Sequence, residues 1–549
     1  MTKHNSYSLA YTALIDGRRF WLFLTCLLLL ASCGPDRSDD GLVTMTRGLV
    51  GSADNLDPQR NSSVQGHQIM VDLFEGLLRY SSTGALENGM AKDWSVSDDG
   101  LLYSFTLRKD GKWSNGDPVT ARDFEFAFRR LVDPKTAAFY AGFVSTIVNA
   151  PAILRGEKAP SELGVVATDD YSLQIRLSER TAYFPQLLTH PATMPLHRPS
   201  VEEFGNSFTR AGNLVSNGAY MLDAFTVGGN IRLVRNTNYR ENNLVAIDVV
   251  NYLQIVSDDA MYMQYRAGEI HVTGTVPSAH FEAIRRERPN ELKVAPLLGV
   301  YYYGFNMTRP PFGDNIKLRQ ALSMAIDREV LVEKVTVRGE MPAYSWVPPG
   351  IEGYDPPGFS YSKMSAEERH TEARRLYKEA GFGPENPAKF DLRYNIGEGE
   401  QRIALAIQSM WAENLGAEAS IINEEFQVLL ANIQQKTITE VYRLSWIGDY
   451  FDPHTFLQLM ETTSPSNLTG YSNPEFDRLM QLASQEIESN TRMALFREAE
   501  SLMLADHPAM PIYYYVSKYL VRSDVHGWVD TIIDFHPTRF LSLESKSTR

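Results

Sequence analysis

Apolar positions along this chain follow two different periods, and each predicts its own kind of element. Leu42 to Leu49 reads as a strand, Ser52 to Gly66 as a polar loop, and the next apolar stretch as a helix closing on Leu73-Phe74-Glu75-Gly76-Leu77. Leu102-Tyr103-Ser104-Phe105-Thr106-Leu107 alternates with a period of two, as a half-buried strand does. A helix is signposted from Thr120. The Thr120 hydroxyl suits a cap, Asp123 at the third helical position suits the free amides and the dipole, and Phe124, Ala127 and Phe128 form the apolar face.

Beyond Gly268 the pattern turns to α/β units. Asp314 is placed to cap a helix carrying Ile316, Ala321, Leu322, Ile326 and Val330, and Ser365-Ala366-Glu367-Glu368 is a capping box opening a helix that ends near Gly381. Strand Asp391 to Tyr394, helix Gln401 to Leu415 and strand Ala419 to Asn423 make one βαβ unit, and such units in succession favour a buried parallel sheet. Asn473-Pro474 opens a helix pair running through Met493 and Leu502, ahead of the apolar strand Met510 to Val516. The expected fold class is mixed α/β. No Pro/Ser/Gly-rich linker, low-complexity tract or repeat interrupts Leu42 to Leu543. A chain well beyond the roughly 250–300 residues that one core serves should then form two large lobes, with segments crossing between them.

One short apolar run stands outside this scheme. Phe20 to Ala31, behind Arg18-Arg19 and closed by Leu30-Ala31-Ser32-Cys33, falls short of the roughly 20 residues needed to span a membrane. It reads as a lipoprotein signal over residues 1–32, cleaved before Cys33, whose thiol takes the lipid. General secretion fits the flanks better than twin-arginine export, and Met1 fits an upstream start. The protein is therefore expected on the periplasmic face of a bacterial membrane, anchored through Cys33. Cys26 and Cys33 are the two cysteines, so processing leaves no disulfide, thiolate metal site or cysteine nucleophile. The net charge of −14 becomes −16 once residues 1–32, with a net +2, are removed, which argues against nucleic acid as a partner.

Catalytic motifs are missing. No stretch matches a phosphate-cradling Gly-Lys-Ser/Thr loop, a Gly-x-Ser-x-Gly elbow or a His-Glu-x-x-His helix. Eleven histidines are scattered singly, and His67, His190 and His454 read as surface or hydrogen-bonded residues rather than ligands. No cofactor, metal or enzymatic role is expected, although 67 acids allow a chance carboxylate pair. The densest local chemistry is Arg443-Leu444-Ser445-Trp446-Ile447-Gly448-Asp449-Tyr450-Phe451-Asp452-Pro453. Its start reads as a strand that Gly448 ends, so Asp449 stands at the carboxyl end of an α/β sheet, where open sheets bind ligands. The alternative is a loop acid capping the next helix.

Ordered short motifs give the chain a family likeness. They include Asn55-Leu56-Asp57-Pro58, Asp72-Leu73-Phe74-Glu75-Gly76-Leu77, the stretch Asn115 to Phe124, Ser216-Asn217-Gly218-Ala219-Tyr220, Tyr301-Tyr302-Tyr303, Arg319-Gln320-Ala321-Leu322, Gly339 to Tyr344 and Pro511 to Val516. In these the chain resembles the extracytoplasmic oligopeptide-binding proteins of ABC importers, a large solute-binding family with oligopeptide, dipeptide and murein-peptide members. The resemblance implies a two-lobed, hinged periplasmic-binding-protein fold with a small insert domain. Lobe I would comprise 33–74, 199–300 and 517–549, the insert 75–198, and an α/β lobe 301–516. It further implies a monomer that captures oligopeptides as its lobes close and delivers them to the permease subunits of an ABC transporter.

Residue roles follow from the same resemblance. Asp449 would take the peptide's α-ammonium, with Tyr140 assisting. Ser62-Ser63-Val64 and Ser445-Trp446-Ile447 would be edge strands holding the peptide main chain. Trp446 and Phe426 would line side-chain pockets, a core role being the alternative, and Tyr303 of the tyrosine triplet would face the ligand. Arg443 would lie toward the peptide's carboxyl side, where further cations of the family appear here as Gln434 and Glu400; a glutamate that often follows the triplet is Gly304. A less cationic pocket suits basic or modified peptides, including cell-wall peptides. A peptide-acting hydrolase and a signalling or adhesive lipoprotein stay open as alternatives.

Overall fold

The computed structural model describes residues 41–53 and 55–544; the expected signal over 1–32 and the lipidation residue Cys33 lie outside them. Three larger sheets organise the chain. One joins strands Thr44–Val50, Val249–Ile255, Asn230–Arg235 and Tyr220–Phe225 in that spatial order. A second orders Ala91–Val96, Leu102–Leu107, Ser172–Arg176 and Val165–Asp169, with Leu102–Leu107 burying alternate residues as its period of two predicts. The third has six strands, in the order Met341–Pro342, Ala509–Leu520, Leu292–Phe305, Val441–Ile447, Lys389–Asn395 and Glu418–Glu424.

Two large cores divide the labour, beside a smaller third around Met261, Tyr265 and Phe281. One packs around the six-stranded sheet and includes Tyr301, Trp346, Trp411 and Phe456. The other gathers both four-stranded sheets, from Met45 and Phe74 to Phe128, Ile231 and Leu541. The long antiparallel pair Leu292–Phe305 and Ala509–Leu520 runs between them: Tyr513 and Tyr514 belong to the first core, and Tyr519 to the second. Expected boundaries at 300/301 and 516/517 thus fall inside strands that both lobes share.

Local signals account for most helices. Asp123 accepts from both the N–H and the hydroxyl of Thr120 at 2.8 and 3.0 Å, which fixes the start of helix Ala121–Val132. Ser365 caps Ala366–Glu379 with Glu368 returning the bond, and Asn473 accepts from Glu475 and Phe476 ahead of Pro474–Gln485.

Three expectations are corrected. The six-stranded sheet is mixed, because its parallel pairs are only those of Lys389–Asn395 with Glu418–Glu424 and with Val441–Ile447, whereas the long strands pair antiparallel. Asn315, not Asp314, caps the next helix, which ends at Met324 rather than near Val330. An amide can accept from Leu318 N–H at 3.1 Å while donating to the Ala380 carbonyl at 3.0 Å, and a carboxylate cannot do both. Finally, Ser62-Ser63-Val64 is no edge strand. Ser63 caps helix Val64–Leu73 by accepting from Gly66 N–H at 3.1 Å, so Val64 opens that helix with its side chain 67% exposed.

Candidate functional site

A cavity of about 330 Å³ lies where the two cores meet, and six of the expected residues line it: Ser62, Ser63, Val64, Tyr140, Ile447 and Asp449. A second space of about 220 Å³ shares Val64, Gln68 and Asp534 with it, and a third of about 110 Å³ shares His67, His190, Ile447 and Asp449. Together they form one cleft, and Asp449 lines two of its chambers.

The segment 449–455 is pinned on both sides of Asp449. Gly448 comes first, its N–H bonding the Leu298 carbonyl at 2.8 Å, and a Cβ there would press within 2.6 Å of Leu298. The Asp449 N–H donates to Thr455 Oγ1 at 3.2 Å. Tyr450 inserts into the second core, stacking on Tyr183 at 4.9 Å and bonding His454 Nδ1 at 2.7 Å. Asp452 is buried and bidentate with Arg492 at 2.6 and 2.8 Å.

Asp449 has no such partner. Among the described residues nothing donates to its carboxylate and no cation pairs with it, and burial pushes its pKa up to about 7. Tyr140 stands near; burial and then the Asp449 charge raise its hydroxyl to about 12, so it stays a donor. A carboxylate held this way is costly to ionise until a cation pairs with it.

Beside Asp449 the strand Val441–Ile447 offers main chain. It pairs with Leu292–Phe305 along its full length, but with Lys389–Asn395 only at Val441 and Tyr442. Because Gly448 bonds Leu298, the antiparallel alternation turns the N–H and C=O of Ile447 and Ser445 away from Leu292–Phe305. Those groups face an open edge. Trp446 points to the opposite face, half-buried, with Nε1 bonding Thr455 Oγ1 at 3.3 Å.

Other expected residues stand apart from the cavity lining. Phe426 opens helix Phe426–Gln435 and is 43% exposed. Tyr303 is a correction: it is fully buried, packed edge-on to Tyr301 at 5.9 Å, so no ligand reaches it in this conformation. The reason lies above it, where helix Glu398–Leu415 brings Glu400 onto Tyr301. Arg443 is also buried, contacting Glu400 at 3.0 Å, Asn395 at 2.9 Å and Tyr515 at 3.2 Å with its guanidinium 4.4 Å over Tyr301.

Sequence reasoning missed part of the lining. His67 and His190, solitary in sequence, meet at 5.2 Å, and His190 lies 4.4 Å from Tyr140. Burial lowers both, His67 to about 4, so they face the cavity uncharged. Ile533, Asp534, Phe535 and His536 enter from a C-terminal strap held by Tyr519 on Asp534 at 2.5 Å and by Trp528 stacked on His536 at 3.8 Å. No local pattern marks that strap; only the fold brings it to Asp449.

Comparison with known proteins adds context. Residues 85–467 match the family described as bacterial extracellular solute-binding proteins, family 5 Middle. The chain is 37% identical over 488 residues to the periplasmic oligopeptide-binding protein OppA of Salmonella typhimurium, covering 88% of this chain and 89% of that one. It superposes on the Escherichia coli murein tripeptide binding protein MppA with TM-score 0.80 at 35% identity, covering 92% and 99%. On Haemophilus influenzae OppA in complex with the peptide RPPGFSPFR the TM-score is 0.77 at 33% identity, with the same coverage.

Proposed function

This chain belongs to the family 5 bacterial extracellular solute-binding proteins, and from that premise we propose that it is a receptor for oligopeptides, which it holds in the cleft around Asp449 and passes to an ABC permease. One observation carries the reading: a half-buried, desolvated carboxylate in the cleft with no protein partner among the described residues. A peptide's α-ammonium supplies the missing charge. Tyr140 adds a donor to the same corner, and the open edge of Ser445 and Ile447 takes the main chain, so affinity comes from groups every peptide shares. Ser62, Ser63 and Val64 bound the cavity opposite, as a helix start rather than a strand. Segment 75–198, with its own four-stranded sheet, serves as the insert domain. Anchoring through Cys33 would keep the receptor beside its permease.

Cell-wall peptides are a second reading, favoured by the likeness to a murein tripeptide binder. The test is to offer the natively purified protein a mixed peptide pool and identify by mass spectrometry what it retains. Retained peptides of unchanged mass are expected, and wall peptides among them would select the second reading. No retained peptide would sink the proposal, and altered masses would replace it with a hydrolase.

A further inference from the structure

The strand Val441–Ile447 carries Arg443, Ser445 and Ile447 on one face, by the two-residue period of a strand. Ile447 lines the cavity, and Arg443, two alternations away on the same face and outside that lining, is the one cation of this strand. A ligand carboxylate would be drawn to it if the guanidinium were free. It is not. Nη1 donates to Asn395, Nη2 to Tyr515, Nε stands 3.0 Å from Glu400, and one face rests on the Tyr301 ring.

Glu400 is itself well held. It is the third residue of helix Glu398–Leu415, where the dipole favours negative charge, and it accepts the Tyr301 hydroxyl at 2.5 Å. Burial works against the charge of Arg443, but Tyr301, Tyr515 and Glu400 more than offset it and raise the guanidinium's pKa. An incoming carboxylate would meet the Glu400 carboxylate first, or would have to displace it and leave a partly buried charge unpaired, an expensive exchange.

Resting on the peptide-receptor reading, we propose that Glu400 takes the place on Arg443 that a ligand's carboxylate would occupy. The receptor is then indifferent to a free carboxyl end, and admits peptides whose far end is amidated, extended or joined to something larger.

Calorimetric titration of the intact protein with alanine/lysine tri-, tetra- and pentapeptides, each as free acid and as carboxamide, tests this. Acid and amide should agree within twofold in Kd at every length. Glu400→Gln, its fold checked by melting, should then favour the acid at least fivefold at one length. A wild-type preference for the acid beyond twofold overturns the proposal without touching the receptor reading, and so does a folded Glu400→Gln that treats both forms alike. If no peptide binds in either form, the receptor reading fails and this inference falls with it.

Discussion

The two ends of the strand Val441–Ile447 treat charge in opposite ways. At the Arg443 end Nη1 and Nη2 donate to Asn395 and Tyr515, and Glu400, 3.0 Å from Nε, balances the charge. Past the Ile447 end, Asp449 keeps its carboxylate in the cleft with no donor among the described residues, although three residues later Asp452 is fully engaged by Arg492. Acids in one loop and charges on one strand can therefore serve structure or recognition, and what separates them is whether the protein supplies the counter-charge.

Removing the protein's own pair should have the largest effect. Asp452→Ala leaves Arg492 buried and uncompensated, and should cost about 3–5 kcal/mol of stability in a denaturant titration. Asp449→Ala should leave that titration unchanged or slightly improved, since it deletes a desolvated carboxylate without a partner among the described residues. A loss of stability at Asp449 equal to that at Asp452 would erase the contrast.

A smaller effect follows from pH. Burial raises Asp449 to about 7, against about 3.9 for an ordinary aspartate. Between those values the folded, empty protein holds a proton that the unfolded chain has lost, so its stability should fall as pH rises through that window. Binding an ammonium needs the carboxylate, so peptide affinity should rise as pH goes from 5 to 7, by up to about tenfold per unit. It should level off until the peptide's own amine deprotonates near 8. Asp449→Asn should flatten the lower limb; a limb that survives unchanged would show that Asp449 does not set it.

Legibility in the sequence followed the range of the interaction. Capping by Thr120 with Asp123, by Ser365 with Glu368 and by Asn473 is set within three residues, and the structure contains all three starts. The parallel strands around Lys389–Asn395 were readable from one βαβ repeat. The antiparallel long strands were not, because Leu292–Phe305 and Ala509–Leu520 lie more than 200 residues apart and nothing local dictates their sense. Within the site, Asp449 could be singled out from its neighbours in the chain. The meeting of His67 with His190 and the strap at Asp534 arise only from packing. Tyr303 and Ser62 to Val64 show the reverse: family likeness singled them out but did not reveal burial or secondary structure.

The central claim is that Asp449 waits for a peptide's amino end. Titrating one peptide, with its amino end free and then acetylated, into the wild-type protein and into Asp449→Asn tests it directly. Acetylation should weaken binding to the wild type by about 2–5 kcal/mol, the cost of truncating one partner of a buried charge pair, while Asp449→Asn should bind both forms equally weakly. Equal affinity of the wild-type protein for the free and acetylated peptide would contradict the account.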